Sequence, residues 1–154
     1  LKASPNSGMR ALILPAVLAA ALVALLGAAP VAADPGVAGP KSPSYSPPFV
    51  DHTEWAQWGR LPSLRVYPTA SGRAAARQLG APGADADEAW AEVLTLAPDA
   101  GTPGMREQFL CHWQLAEIAE PGKLSWNLEP WRPVVDAATM VGSGCNPGGS
   151  EENF

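Results

Sequence analysis

The chain is short of cations, cysteine and histidine, and each shortage removes a class of function. Ten Lys and Arg stand against 15 Asp and Glu in 154 residues, a net charge of −5. Phosphate backbones are held by a surplus of Lys and Arg, so nucleic acid is not an expected partner. Two cysteines cannot supply the framework of a disulfide-dense miniprotein or a four-cysteine zinc site. With His52 and His112 the only histidines, no metal site is expected, and no cofactor is expected either. Catalytic signatures are missing too: there is no G-x-S-x-G, phosphate-binding loop, dinucleotide fingerprint or H-E-x-x-H motif. Charged residues are scarce at 16% beside 47% hydrophobic, which argues against disorder throughout. Proline and glycine are plentiful, at 17 and 15 residues, so long uninterrupted helices and coiled coils are not expected.

The N-terminus is the most legible part of what is present. Met9, a candidate initiator, and Arg10 precede an uncharged run from Ala11 to Ala29, and the small residues Val31, Ala32 and Ala33 follow before Asp34. A basic start, an apolar middle and a small-residue exit make a secretory signal over residues 1–33, with cleavage expected after Ala33. The rival is an uncleaved anchor, since about 20 apolar residues span a bilayer. Pro15 within the run, the predominance of Ala, and the distance to the next cation, Lys41, favour cleavage. No Cys marks a lipoprotein site. Cleavage removes Lys2 and Arg10 and no acid, which makes the protein more acidic still. The expected location is therefore secreted or cell-envelope, with membrane contact only during export.

Residues 34–48 are Pro-, Gly- and Ser-rich and read as an extended linker. A domain is expected over 49–147, with 148–154 as a frayed tail. All six tryptophans fall inside that domain: Trp55, Trp58, Trp90, Trp113, Trp126 and Trp131. Leu64 and Val66 alternate with Arg65 and Tyr67, the two-residue period of a half-buried strand. Gly59 and Pro62 bracket a turn, which makes a β-hairpin carrying Trp55 and Trp58 on its first arm. Ser71 is a candidate cap for a short helix through Leu79, ended by Gly80. Asp85 and Glu88 have capping-box spacing at the start of a helix from Ala86 to Leu96 that Pro98 stops. Thr102-Pro103 would open a third helix through Glu120, with Met105, Phe109, His112 and Ala116 as one stripe. Phe109, Cys111, Trp113 and Leu115 also alternate as a strand would, so residues 105–119 stay open between helix and strand. Ser125–Pro133 reads as extended, an edge strand at most.

Each candidate site has a structural counterpart. In an exported chain Cys111 and Cys145 most simply form one disulfide. The alternative is a nucleophilic Cys111 beside His112, but neighbours on a helix point about 100° apart. His112 is either a core imidazole bonded to backbone carbonyls or a general acid or base oriented by Glu107, Glu129 or Asp136. Glu129 is equally a structural partner for Arg132. Trp55 and Trp58, and Trp126 and Trp131 with Arg132, have the composition of a glycan or peptide surface; the counterpart reading is that they fill the core.

The runs Met105–Trp113, Ser125–Pro133 and Gly144–Pro147, with Thr53–Trp58 and Ser63–Thr69, resemble a family of secreted bacterial domains known as domain of unknown function 2599, common in actinobacteria. The resemblance spans residues 49–147. It implies export, an actinobacterial source and pairing of Cys111 with Cys145, and it carries no activity or catalytic residue. The expected fold is α+β: a hairpin or small antiparallel sheet packed against two to three short helices, with one disulfide. The leading functional reading is a non-enzymatic binding module whose partner is a protein. A cell-wall glycan is the alternative partner, and a small hydrolase using His112 with a carboxylate comes third.

Overall fold

Val50–Trp58 (β1) and Leu61–Pro68 (β2) pair antiparallel around the two-residue turn Gly59-Arg60, with Trp58 opposite Leu61 and Trp55 opposite Leu64. A computed structural model describes residues 44–150 of the chain. The expected signal peptide, most of the linker and the last four residues lie outside them. Gly59 takes φ 58°, the left-handed conformation that so tight a hairpin needs. The turn is shorter than the Gly59–Pro62 expectation because Pro62 sits within β2. The Pro62 carbonyl faces away from β1 and accepts from the Trp131 indole N–H at 3.1 Å. Its ring nitrogen faces the same way, so the missing N–H costs no bond to β1.

A third strand, Trp126–Leu128 (β3), pairs antiparallel with β2 from Leu64 to Val66, giving the order β1-β2-β3. The edge strand expected within Ser125–Pro133 is there, but all three of its residues are buried. Leu64, Val66, Trp126 and Leu128 are fully enclosed on the sheet face that meets the helices.

Those helices are Ala70–Ala76 (α1), Ala84–Leu96 (α2) and Met105–Ala119 (α3), with a 3₁₀ turn at Pro98–Ala100 and a last short helix, Ala137–Gly142 (α4). The architecture is α+β. For residues 105–119 helix wins over strand, because Met105, Phe109, His112 and Ala116 form one buried stripe at helical spacing. Phe109 is the hub of the core: its ring lies 5.5 Å from Trp90, 6.0 Å from Trp126 and 6.1 Å from Trp113, centroid to centroid. Aromatic pairs at such tilts and distances add to what their buried area contributes.

The caps differ from expectation by a residue or two. Thr69, not Ser71, caps α1, its Oγ1 accepting from the Gly72 N–H at 2.9 Å. It holds the extended conformation that a cap requires as the chain leaves β2. Ser71 lies inside the helix and donates to the Ser46 carbonyl at 2.6 Å. The helix also stops at Ala76, short of Leu79. Asp85 forms no capping box, since α2 starts two residues earlier, at Ala84 behind Gly83, and has no side-chain cap. Its carboxylate instead stands in the first turn, where the helix dipole favours negative charge. Gly104, at φ 85°, precedes α3 in place of the Thr102-Pro103 cap.

Cys111 on α3 and Cys145 just after α4 are joined by a disulfide, with Cα atoms 5.5 Å apart. Met140 packs on it, with Leu115 and Val135 alongside, in a small cluster separate from the main core. Tyr45 packs against the main core ahead of β1, and its hydroxyl accepts from Gln78 Nε2 at 2.7 Å.

Candidate functional site

His112 is buried in the middle of α3, and its Nε2 lies 3.0 Å from the Asn127 carbonyl oxygen on β3. A carbonyl only accepts, so Nε2 carries the proton and Nδ1 keeps the lone pair. The pKa is lowered to about 4, first by burial and then by the charge of Lys123; the bond to Asn127 opposes this and Arg132 adds to it. The imidazole is therefore neutral at physiological pH. It lines a cavity of about 190 Å³ with Ala116, Glu120, Lys123 and Asn146.

The carboxylates proposed to orient His112 are elsewhere. Glu107 is exposed and lines a different cavity, beside Cys111 and Met140. Asp136 caps α4 by accepting from the Thr139 N–H at 2.8 Å, which holds its carboxyl below the usual range. Glu129 is wholly enclosed. Its carboxylate accepts from Ser63 Oγ at 3.0 Å and from Arg132 Nε at 2.5 Å, while its main chain exchanges two bonds with the Gln108 amide, at 2.9 and 3.0 Å. Arg132 in turn donates to the carbonyls of Pro147 at 3.2 Å and Gly149 at 2.8 Å. This network holds the chain after β3, the hairpin and the C-terminal segment together. It presents no group to a substrate.

Two more carboxylates with structural partners, Glu117 buried and Glu92 half-buried, escaped the sequence reading. Glu117 on α3 accepts from Arg73 and from Arg77, the latter at 3.0 Å, which clamps α1 to α3. The four-residue spacing of Arg73 and Arg77 on one helix was the available clue. Glu92 accepts from the Phe49 and Val50 N–H groups, both at 2.7 Å, where β1 begins. No comparable pattern marks it in the sequence. Among the described residues, no group of three or more His, Cys, Asp and Glu is arranged to hold a metal ion.

The tryptophans divide sharply. Trp90, Trp113 and Trp126 belong to the core, Trp126 with no exposure at all. Trp131 is half-buried, its ring 4.6 Å below the Arg132 guanidinium. Trp126 and Arg132 are thus corrected from surface candidates to interior residues, because β3 turns the indole into the aromatic core and Glu129 draws the guanidinium inward. Trp55 and Trp58 are different, at 40% and 53% exposure. They are three residues apart on one strand, so they stand on opposite faces of the ribbon. Leu61, opposite Trp58 and 37% exposed, was missed; with Arg60 it completes an exposed tip.

The family model described as protein of unknown function (DUF2599) matches residues 50–148. Uncharacterised proteins of Mycobacterium bovis and of Mycobacterium tuberculosis H37Rv are each 62% identical over 152 residues, covering 95% of this chain and 100% of the relative. An uncharacterised Mycobacterium leprae protein is 53% identical over 112 residues, 73% of this chain and 89% of the relative. No solved structure matches.

Proposed function

The chain belongs to this family of proteins of unknown function (DUF2599), and on that premise we propose that it is an exported binding module of the cell envelope or extracellular space, acting through its hairpin tip without chemistry of its own. The observation that carries the reading is the exposure of Trp55, Trp58 and Leu61 at one end of a domain that buries three other tryptophans. Large aromatics left in solvent by a chain able to enclose them suit a contact surface. Export is supported by the leader pattern, by the Cys111–Cys145 bond, and by relatives matching 95% of this chain, a share that residues 34–154 alone could not fill. The hydrolase reading loses ground because His112 hydrogen-bonds a main-chain carbonyl while Glu129 is committed to Arg132. The glycan reading loses the Trp126 half of its surface.

The test is fractionation of cells producing the whole chain. The product is expected outside the cytoplasm, beginning at Asp34, with both sulfurs bonded. Wild type is expected to stay with envelope fractions, and Trp58→Ala, folded equally well by near-UV circular dichroism, to be released. A cytosolic product with free thiols, or equal retention of the variant, overturns the reading.

A further inference from the structure

We infer that the partner of this tip is an anionic phospholipid surface, which the hairpin enters tip-first to the depth of the headgroups. The inference rests on the proposed role of the hairpin tip and names what that tip contacts.

The first argument is the disposition of the two indoles. Trp55 and Trp58 point to opposite faces of the sheet, Trp55 at the Leu64 row where β3 joins and Trp58 on the two-stranded hairpin beyond it. A flat partner laid on one face would meet only one of them, and a sugar chain stacking along the ribbon would do no better. A fluid layer entered end-on wets both faces together. Strand rise is about 3.3 Å per residue, so Trp55 trails Trp58 by about 10 Å. Interfacial protein segments enter the headgroup boundary by about 5–10 Å. At that depth Trp58 and Leu61 are inside the layer, and Trp55 lies at its water edge.

The second argument is residue chemistry and charge. Trp is suited to the membrane–water boundary, with an apolar ring body and one polar N–H. Trp58, Gly59, Arg60 and Leu61 are all exposed. From Trp55 through Leu64 the single charged residue is Arg60, at the apex of the turn. Its guanidinium suits lipid phosphate oxygens, which it can grip with two parallel bonds. The chain as a whole is acidic, but at physiological salt a charge is felt over only about 8 Å. The nearest acid on the ribbon, Glu54, is four residues behind Trp58, about 13 Å along the strand, and accepts there from the Tyr67 hydroxyl. Along the ribbon, the approaching membrane therefore meets Arg60 before Glu54.

The experiment sediments the processed full chain with phosphatidylcholine vesicles, with and without roughly one third phosphatidylglycerol. Binding is expected to the anionic vesicles, weakened by salt, with brominated lipids quenching indole emission. Trp58→Ala is expected to weaken binding about tenfold or more, and Arg60→Glu, a turn substitution that buries nothing, by about fivefold or more. Failure of wild type to sediment with anionic vesicles overturns the inference, as does equal binding by both variants. If vesicles are not bound but envelope retention still depends on Trp58, the tip remains a contact surface and lipid is not its partner. If a tip-dependent dimer forms in place of vesicle binding, a second copy of the chain is the occupant and the lipid assignment fails.

Discussion

Glu129 accepts at 2.5 Å from the Nε of Arg132, three residues further on, and neither side chain reaches solvent. A carboxylate that looks like half of a catalytic pair is thus a fastener between the sheet and the C-terminal segment. Breaking such a pair costs more than the pair contributes, because the surviving charge stays buried alone.

Glu129→Gln is accordingly expected to destabilise the domain by about 3–5 kcal/mol in denaturant unfolding. Replacing both partners, Glu129→Leu with Arg132→Met, is expected to cost less than the two single losses added together. An unchanged midpoint for Glu129→Gln would contradict the assignment.

Gly72 offers a test with an unusual sign. In an ordinary helix Gly→Ala stabilises by about 1 kcal/mol. Here a Cβ would come within 2.2 Å of the Phe49 carbonyl oxygen, an atom already held by the Thr69 N–H at 2.8 Å. Gly72→Ala is expected to lose about 1–3 kcal/mol, because backbone cannot yield as a side chain can. A rise in melting temperature would show that α1 and the start of β1 are free to part.

His112 sets a pH dependence whose direction follows from its burial. Its folded pKa, about 4, lies below the ordinary 6.5. Between those values the unfolded chain binds a proton that the native protein refuses, so stability rises with pH through the window. The contribution is complete above about pH 6.5 and is lost as pH falls toward about 4; it amounts to about 3 kcal/mol. In His112→Gln that part of the slope is expected to vanish from urea midpoints measured across the window. Identical slopes would mean that the native imidazole titrates freely.

The disulfide joins residues 34 apart, and opening it is expected to cost about 3–4 kcal/mol in the chain-entropy account. Cys111→Ser with Cys145→Ser, compared with wild type by thermal unfolding, is the measurement. The loss should centre on α4, since Met140 packs on the bond itself. An unchanged melting temperature would mean that α4 is held by other contacts.

Local pattern by itself determined the hairpin, the inward alternation of Leu64 and Val66, and the pairing of the two cysteines. These rest on spacing within a few residues, or on there being only two thiols to join. The caps shifted by a residue or two because Thr69 and Gly83 take their conformations from where β2 and the preceding loop deliver the chain. Only tertiary structure decided which tryptophans face solvent and which carboxylates are spent on structure. Ser63 meets Glu129 across 66 residues, and Arg73 meets Glu117 across 44. Burial is a property of what arrives from far along the chain, and no short window of sequence contains it.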